Sequence, residues 1–78
     1  MKPKITKEEY AFLTFLSKAN YIARAENELL CVYRKMPTRF MSWWRDDTSF
    51  CIDHMAFPFI TWEEGPWSVE ELLKLEVE

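Results

Sequence analysis

Residues 57–75 read FPFITWEEGPWSVEELLKL, and the reading of this stretch decides the fold. Phe57, Phe59 and Thr61 alternate along an aromatic and β-branched run, which predicts a strand over residues 57–62 with those side chains on one side. Pro58 cannot donate to a ladder, so it suits an edge strand or the first residues of one. Gly65-Pro66 ends the run in a turn. Ser68 and Glu71 then have the S-x-x-E spacing of a capping box, in which the hydroxyl and the carboxylate satisfy each other's free backbone N–H groups. Glu70 and Glu71 place negative charge at the positive end of the helix dipole. Val69, Leu72 and Leu73, extended by Val77, form the apolar stripe.

Working outward, Thr6 and Glu9 repeat the capping-box spacing near the start of the chain, with Ile5 and Tyr10 at the flanking staple positions. A first helix is predicted over residues 7–18, with Tyr10, Leu13 and Leu16 at helical spacing and Phe12 and Phe15 widening the face. Asn20 is the expected stop. Residues 21–24 and 29–34 are rich in β-branched and aromatic side chains and predict two strands of a hairpin across Glu26-Asn27-Glu28. Asn27 tolerates the left-handed backbone that a tight turn requires. Pro37 interrupts pairing after the second strand. Residues 38–56 carry mixed signals. Phe50 and Ile52 alternate as in a strand, while Asp47 or Thr48 could cap a short helix through Met55. An irregular crossover with one helical turn is expected there. The order is then α-β-β-crossover-β-α: a small α+β domain over residues 1–78, with a three-stranded, mostly antiparallel sheet and an N-terminal and a C-terminal helix packed on it.

Composition agrees with one small domain. Of 78 residues, 13 are Phe, Trp or Tyr and 49% are hydrophobic, so a small core can still bury a large apolar area. One glycine and four prolines do not suit a low-complexity chain. Two cysteines, Cys31 and Cys51, are too few for a disulfide scaffold and form no C-x-x-C pair. Free buried thiols are the favoured reading, with a single Cys31–Cys51 bridge as the minor one. The first six residues lack the apolar core of a signal peptide, and no run of about 18 apolar residues occurs. A cytoplasmic protein is expected. The net charge of −3 is unevenly spread. Residues 1–39 hold eight basic and four acidic residues, a net +4; residues 40–78 hold two basic and nine acidic, a net −7. Such a dipole steers charged partners.

A set of residues together carries a resemblance. It comprises Glu9-Tyr10 with Phe12-Leu13, Tyr21-Ile22-Ala23-Arg24, Val32-Tyr33, Pro37, and Trp43 with Trp44. It closes on Phe59-Ile60-x-Trp62-Glu63-Glu64 and Pro66-Trp67-Ser68-Val69-Glu70-Glu71-Leu72-Leu73, its most specific part. In these the chain resembles short, uncharacterised proteins encoded by phages and prophages of Gram-positive bacteria, over nearly its whole length. It departs from them at Glu26-Asn27-Glu28, where an Asp-Gly or Asp-Asn turn is usual, and across residues 46–56. The resemblance implies a mobile-element origin and a small accessory role without catalysis, and it carries no catalytic residue.

The residues themselves also speak against an enzyme. His54 is the only histidine. Cys51 and His54 share a face only if that segment is helical, and no glycine-rich turn is available to build an oxyanion site beside them. Cys31, Cys51, Asp53 and His54 are the metal-ligating candidates, with at most one local pair where structural zinc wants paired spacing. No cofactor and no metal are expected. A phosphate loop cannot form around one glycine set between Glu64 and Pro66.

Two segments suggest binding. In residues 33–45, Arg34, Lys35, Arg39 and Arg45 interleave with Tyr33, Phe40, Trp43 and Trp44, the composition of a single-strand nucleic-acid platform. The plainer reading has the aromatics in the core. Around Trp62-Glu63-Glu64 and Trp67, an aromatic anchor with a charged rim would suit a protein hot spot. Asp46, Asp47 and Asp53 could extend that acidic face. The plainer reading has Trp67 under the last helix and the two glutamates merely solvated. The expected function is a phage or prophage accessory protein that binds and inhibits a host protein. The target would be a bacterial defence or nucleic-acid-processing enzyme, as for an anti-CRISPR protein. Trp43, Trp44, Trp62 or Trp67 would supply the anchors beside Glu63 and Glu64, and the acidic C-terminal half the steering. The alternative is a small nucleic-acid-binding protein using residues 33–45. Exposed aromatics also admit a homo-oligomer.

Overall fold

Both capping boxes form. The Thr6 N–H donates to Glu9 Oε1 at 2.8 Å and the Glu9 N–H donates to Thr6 Oγ1 at 3.1 Å, opening helix α1 (Lys7–Thr14). The Ser68 N–H donates to Glu71 Oε1 at 3.1 Å and the Glu71 N–H to Ser68 Oγ at 3.0 Å, opening helix α2 (Val69–Leu73). These contacts lie within four residues of sequence, which is why they could be read without the fold. The computed structural model describes residues 3–41, 43–45, 49–53 and 55–78, and only the backbone of Arg39, Phe40, Trp43, Arg45 and Ser49.

Among the described residues, eight short strands accompany the helices. They are β1 (Lys4–Ile5), β2 (Tyr21–Arg24), β3 (Leu30–Tyr33), β4 (Thr38–Phe40), β5 (Trp43–Arg45), β6 (Ser49–Ile52), β7 (Trp67–Ser68) and β8 (Glu76–Val77). Four of them build the main sheet, in the order β6-β3-β2-β7, with every pair antiparallel. Strands β4 and β5 form a separate antiparallel hairpin, and β1 pairs with β8 in parallel. The last pair fastens the two ends together, with Lys4 opposite Glu76 and the Glu78 N–H donating to Ile5 O at 2.9 Å. Thus each helix is flanked by a terminal strand.

The sheet has four strands rather than three, and the predicted third strand is elsewhere. Residues 57–62 are turns and coil. Phe57 takes φ 49°, which reverses the chain, and the Ile60 N–H donates back to Phe57 O at 2.9 Å. Phe57 and Ile60, three apart, are both fully buried, a turn spacing and not a strand's alternation. The carbonyls a ladder would have used go to one side chain. Arg24 donates through Nε to Ile60 O at 2.6 Å and through Nη2 to Ala56 O at 3.0 Å and Phe57 O at 3.2 Å. The third long strand is Ser49–Ile52, pairing Leu30 with Ile52 and Val32 with Phe50. The described residues of 38–56 are therefore largely strand where an irregular crossover was expected; Asp47, Thr48 and His54 lie outside the described residues.

Two smaller expectations also change. Helix α1 ends at Thr14; Phe15 after it is 87% exposed and Tyr10 within it 40% exposed, leaving Leu13 as the helix's buried residue. In the β2–β3 turn, Glu28 takes the left-handed backbone at φ 73°. Asn27 contributes differently: its Oδ1 accepts from the Leu29 N–H at 3.2 Å.

All four residues of β3 are buried, as expected for a central strand covered on both faces. On one face Leu30 and Val32 join Ile22, Leu13 of α1, Val69 and Leu72 of α2, and the Phe57–Ile60 turn. Both helices thus cover the same side. On the other face Cys31 and Tyr33 join Ala23 and Trp44, which the β4–β5 hairpin lays over the sheet, with Tyr21 and Trp62 at the margin. Glu9 ties the helix to the turn, since the Phe57 N–H donates to its second carboxylate oxygen at 2.5 Å.

Candidate functional site

An open groove of about 490 Å³ lies between the β2–β3 turn and residues 58–63. Glu26 and Glu28 stand on one wall, Glu63 on the other, with Trp62, Met55 and Pro58 supplying apolar surface and Arg24 at the base. All three carboxylates are exposed. The wall positions follow from the turns. The Glu28 N–H donates to Ala25 O at 2.9 Å and the Ala25 N–H to Leu29 O at 2.8 Å, projecting Glu26 and Glu28 outward. Across the groove, the Glu64 N–H donates to Thr61 Oγ1 at 3.1 Å, fixing the turn that carries Glu63. Arg24 anchors both walls from below: besides the three carbonyls of residues 56–60, its Nη1 donates to Glu28 O at 3.0 Å. A half-buried indole beside three exposed carboxylates can hold a Lys or Arg side chain, by cation–π contact on the ring and by charge at the rim.

The anchor candidates separate. Trp44 is 6% exposed, donates its indole N–H to Arg24 O at 2.9 Å and meets Trp62 edge-on with ring centroids 5.3 Å apart. It is a core residue, and its role is to support Trp62 from beneath. Trp62 is half-buried and lines the groove. Trp67 is on the opposite face of the sheet, half-buried against the helical core and packed on Phe59 with centroids 5.3 Å apart at 75°. Its indole N–H is buried with no hydrogen-bond partner among the described residues. Glu64 is exposed next to Glu63 but does not line the groove. The side chain of Trp43 lies outside the described residues, as do Asp46 and Asp47.

The basic-aromatic segment does not assemble a stacking platform from its described residues. Arg34 and Lys35 are exposed after β3, but Tyr33 is 4% exposed and Trp44 is buried, so neither aromatic offers a free ring face. The side chains of Arg39 and Arg45 are outside the described residues. Of the groove lining only Trp62 and Glu63 were named from the sequence, which passed over Arg24, Glu26, Glu28 and Met55 among others. Glu26 and Glu28 were legible only as turn residues, because what matters is which loop faces them.

A second, smaller cleft of about 240 Å³ runs between α1 and residues 52–57, lined by Phe12, Ile52, Ala56 and Phe57 with Glu8, Glu9 and Asp53 at its rim. Cys31 and Cys51 are both free thiols, Cys31 buried and Cys51 exposed, where two buried thiols were expected. Burial pushes the Cys31 thiol up to about 12, and the neighbouring Cys51 thiol adds to the effect. Among the described residues no three His, Cys, Asp or Glu side chains stand close enough to hold a metal ion, and no helix is long and apolar enough to cross a membrane. Comparison with protein-family models, with curated proteins and with solved structures finds no match for this chain.

Proposed function

We propose that this protein is a small, non-catalytic binding module whose acidic, tryptophan-lined groove takes a basic segment of a partner protein. In the setting its sequence resembles, it is a phage or prophage accessory protein acting in the bacterial cytoplasm. Its target is then a host defence or nucleic-acid-processing enzyme, as for an anti-CRISPR protein, and it works by occlusion. The single observation that carries the reading is the convergence of Trp62 with Glu26, Glu28 and Glu63 on one groove. Enzymes that handle nucleic acid present Lys- and Arg-rich surfaces, which are the complement of such a groove. Rim charges of this kind accelerate encounter, while the indole supplies the contact that slows release.

The test is capture of partners from nuclease-treated bacterial lysate by the tagged protein and by a Glu26→Lys, Glu63→Lys double variant. Both positions are exposed, so the variant should melt within a few degrees of the parent. A protein held stoichiometrically by the parent and lost by the variant supports the reading. Equal capture by both rejects the groove. Fluorescence anisotropy with oligonucleotides at low salt tests the runner-up, binding through Arg34, Lys35, Arg39 and Arg45, which predicts affinity falling steeply as salt rises.

A further inference from the structure

Strand β6 is an edge of the main sheet, and its register with β3 sets Cys51 directly opposite Cys31. Side chains at directly opposed antiparallel positions point to the same face of the sheet. Their Cα atoms are about 4.5 or 5.5 Å apart, depending on the type of pair. Either value falls inside the roughly 4.4–6.8 Å that a disulfide spans. The register therefore sets the two thiols side by side on the hairpin face of the sheet. They differ in access: Cys51 is exposed on the edge and Cys31 is 8% exposed behind it. This is the arrangement of an attacking and a resolving cysteine. We propose that Cys51 is a site of thiol modification and that Cys31 resolves the adduct into a Cys31–Cys51 disulfide.

The chemistry needs one co-reactant, a low-molecular-weight disulfide. The Cys51 thiol loses its proton to solvent and attacks one sulfur of that disulfide. A mixed disulfide forms on Cys51, and the first small thiolate leaves and is protonated. Cys31 then loses its proton and attacks the Cys51 sulfur. The internal S–S bond forms as the second small thiolate departs. Two protein thiols are oxidised and one small disulfide is reduced to two thiols. Burial raises the Cys31 thiol, so the first attack falls to the exposed Cys51. The bond would staple the edge strand to the centre of the sheet. Residue 53 follows β6 directly, so the staple also bears on the segment carrying Met55 and Pro58, which line the acidic groove.

The full-length protein should be reduced, freed of reductant and incubated with glutathione disulfide. Intact mass, peptide mapping and melting temperature are then followed in time. The expected course is a transient glutathione adduct on Cys51 that decays as a monomer lighter by two hydrogens accumulates. Mapping should join the peptides containing Cys31 and Cys51. The melting temperature should rise by about 10 °C or more, because the cross-link restrains the unfolded chain. Dithiothreitol should reverse all three changes. In Cys31→Ala the adduct on Cys51 should persist. A wild-type protein that ends as a stable adduct, as a Cys51–Cys51 dimer or unmodified overturns the proposal. The wild-type time course decides this even if the variant fails to fold.

Discussion

The two faces of the main sheet are built from different material. On the helical face, nine fully or almost fully buried aliphatic and aromatic residues interlock, with two capped helices and the Phe57–Ile60 turn closing over Ile22, Leu30 and Val32. On the hairpin face the buried set is Ala23, Cys31, Tyr33 and Trp44, a thinner layer with polar atoms in it. The first face is a stability core. The second carries the cysteine pair, supports the indole of Trp62 and borders the acidic groove. In a domain this small, where total stability is on the order of 4–12 kcal/mol, most of the folding energy must come from the first face. That leaves the second free to hold groups that packing alone would not choose.

The sharpest way to break this contrast is to truncate both faces. Ile22→Ala should cost about 2–5 kcal/mol by removing buried volume from the helical core, and urea denaturation should show the domain near or past its stability limit. Trp44→Phe keeps most of the ring but removes the N–H donated to Arg24 O. A loss of about 1–3 kcal/mol is expected. If the Trp44 variant proves the more damaging of the two, the hairpin face is the true core and the contrast is wrong.

Titration sharpens the same contrast from the hairpin side. The Cys31 thiol rises from 9.0 to about 12 on folding, so the native state holds this proton more tightly than the unfolded chain does. Its contribution is therefore fully present below pH 9.0 and is lost as pH rises towards about 12. Denaturation midpoints measured under reducing conditions should fall across that window, and Cys31→Ala should flatten the fall. A fall that persists unchanged in the variant would assign it to other groups.

The smallest effect concerns the turn between the faces. Glu28 occupies φ 73°, a conformation costly for any residue with a Cβ. Glu28→Gly should stabilise the hairpin by about 0.5–1 kcal/mol, provided that relief of the strained backbone exceeds glycine's added unfolded-state entropy. The same change removes one groove carboxylate. Raised stability with weakened partner capture would separate the two roles of this residue; unchanged capture would confine the groove's charge to Glu26 and Glu63.

Legibility followed the distance over which each signal acts. Both capping boxes and strands β2 and β3 could be read because the deciding contacts are local: hydroxyl to N–H within a turn, and β-branched side chains in a short run. The β7 edge strand is only two residues long and sits inside what reads as a turn and cap, so no periodicity could reveal it. Trp44 and Trp67 are alike in composition terms, yet one supports the groove and the other packs beneath the helices on the far side. Only the placement of the hairpin and of β7 separates them.

By itself the sequence determined a small α+β domain, its two capped helices, the β2–β3 hairpin and an acidic C-terminal half with tryptophans in it. Tertiary structure decided the rest, because a strand's partner is chosen by contacts far along the chain. Residues 57–62 have strand-like side chains, but Arg24, more than thirty residues earlier, takes the carbonyls of 56, 57 and 60 and holds them as a turn. The vacant side of β3 is then filled by Ser49–Ile52, which sets Cys51 against Cys31. The same turn swings Trp62 and Glu63 towards Glu26 and Glu28, so the groove exists only once the partly buried guanidinium of Arg24 has drawn two distant loops together.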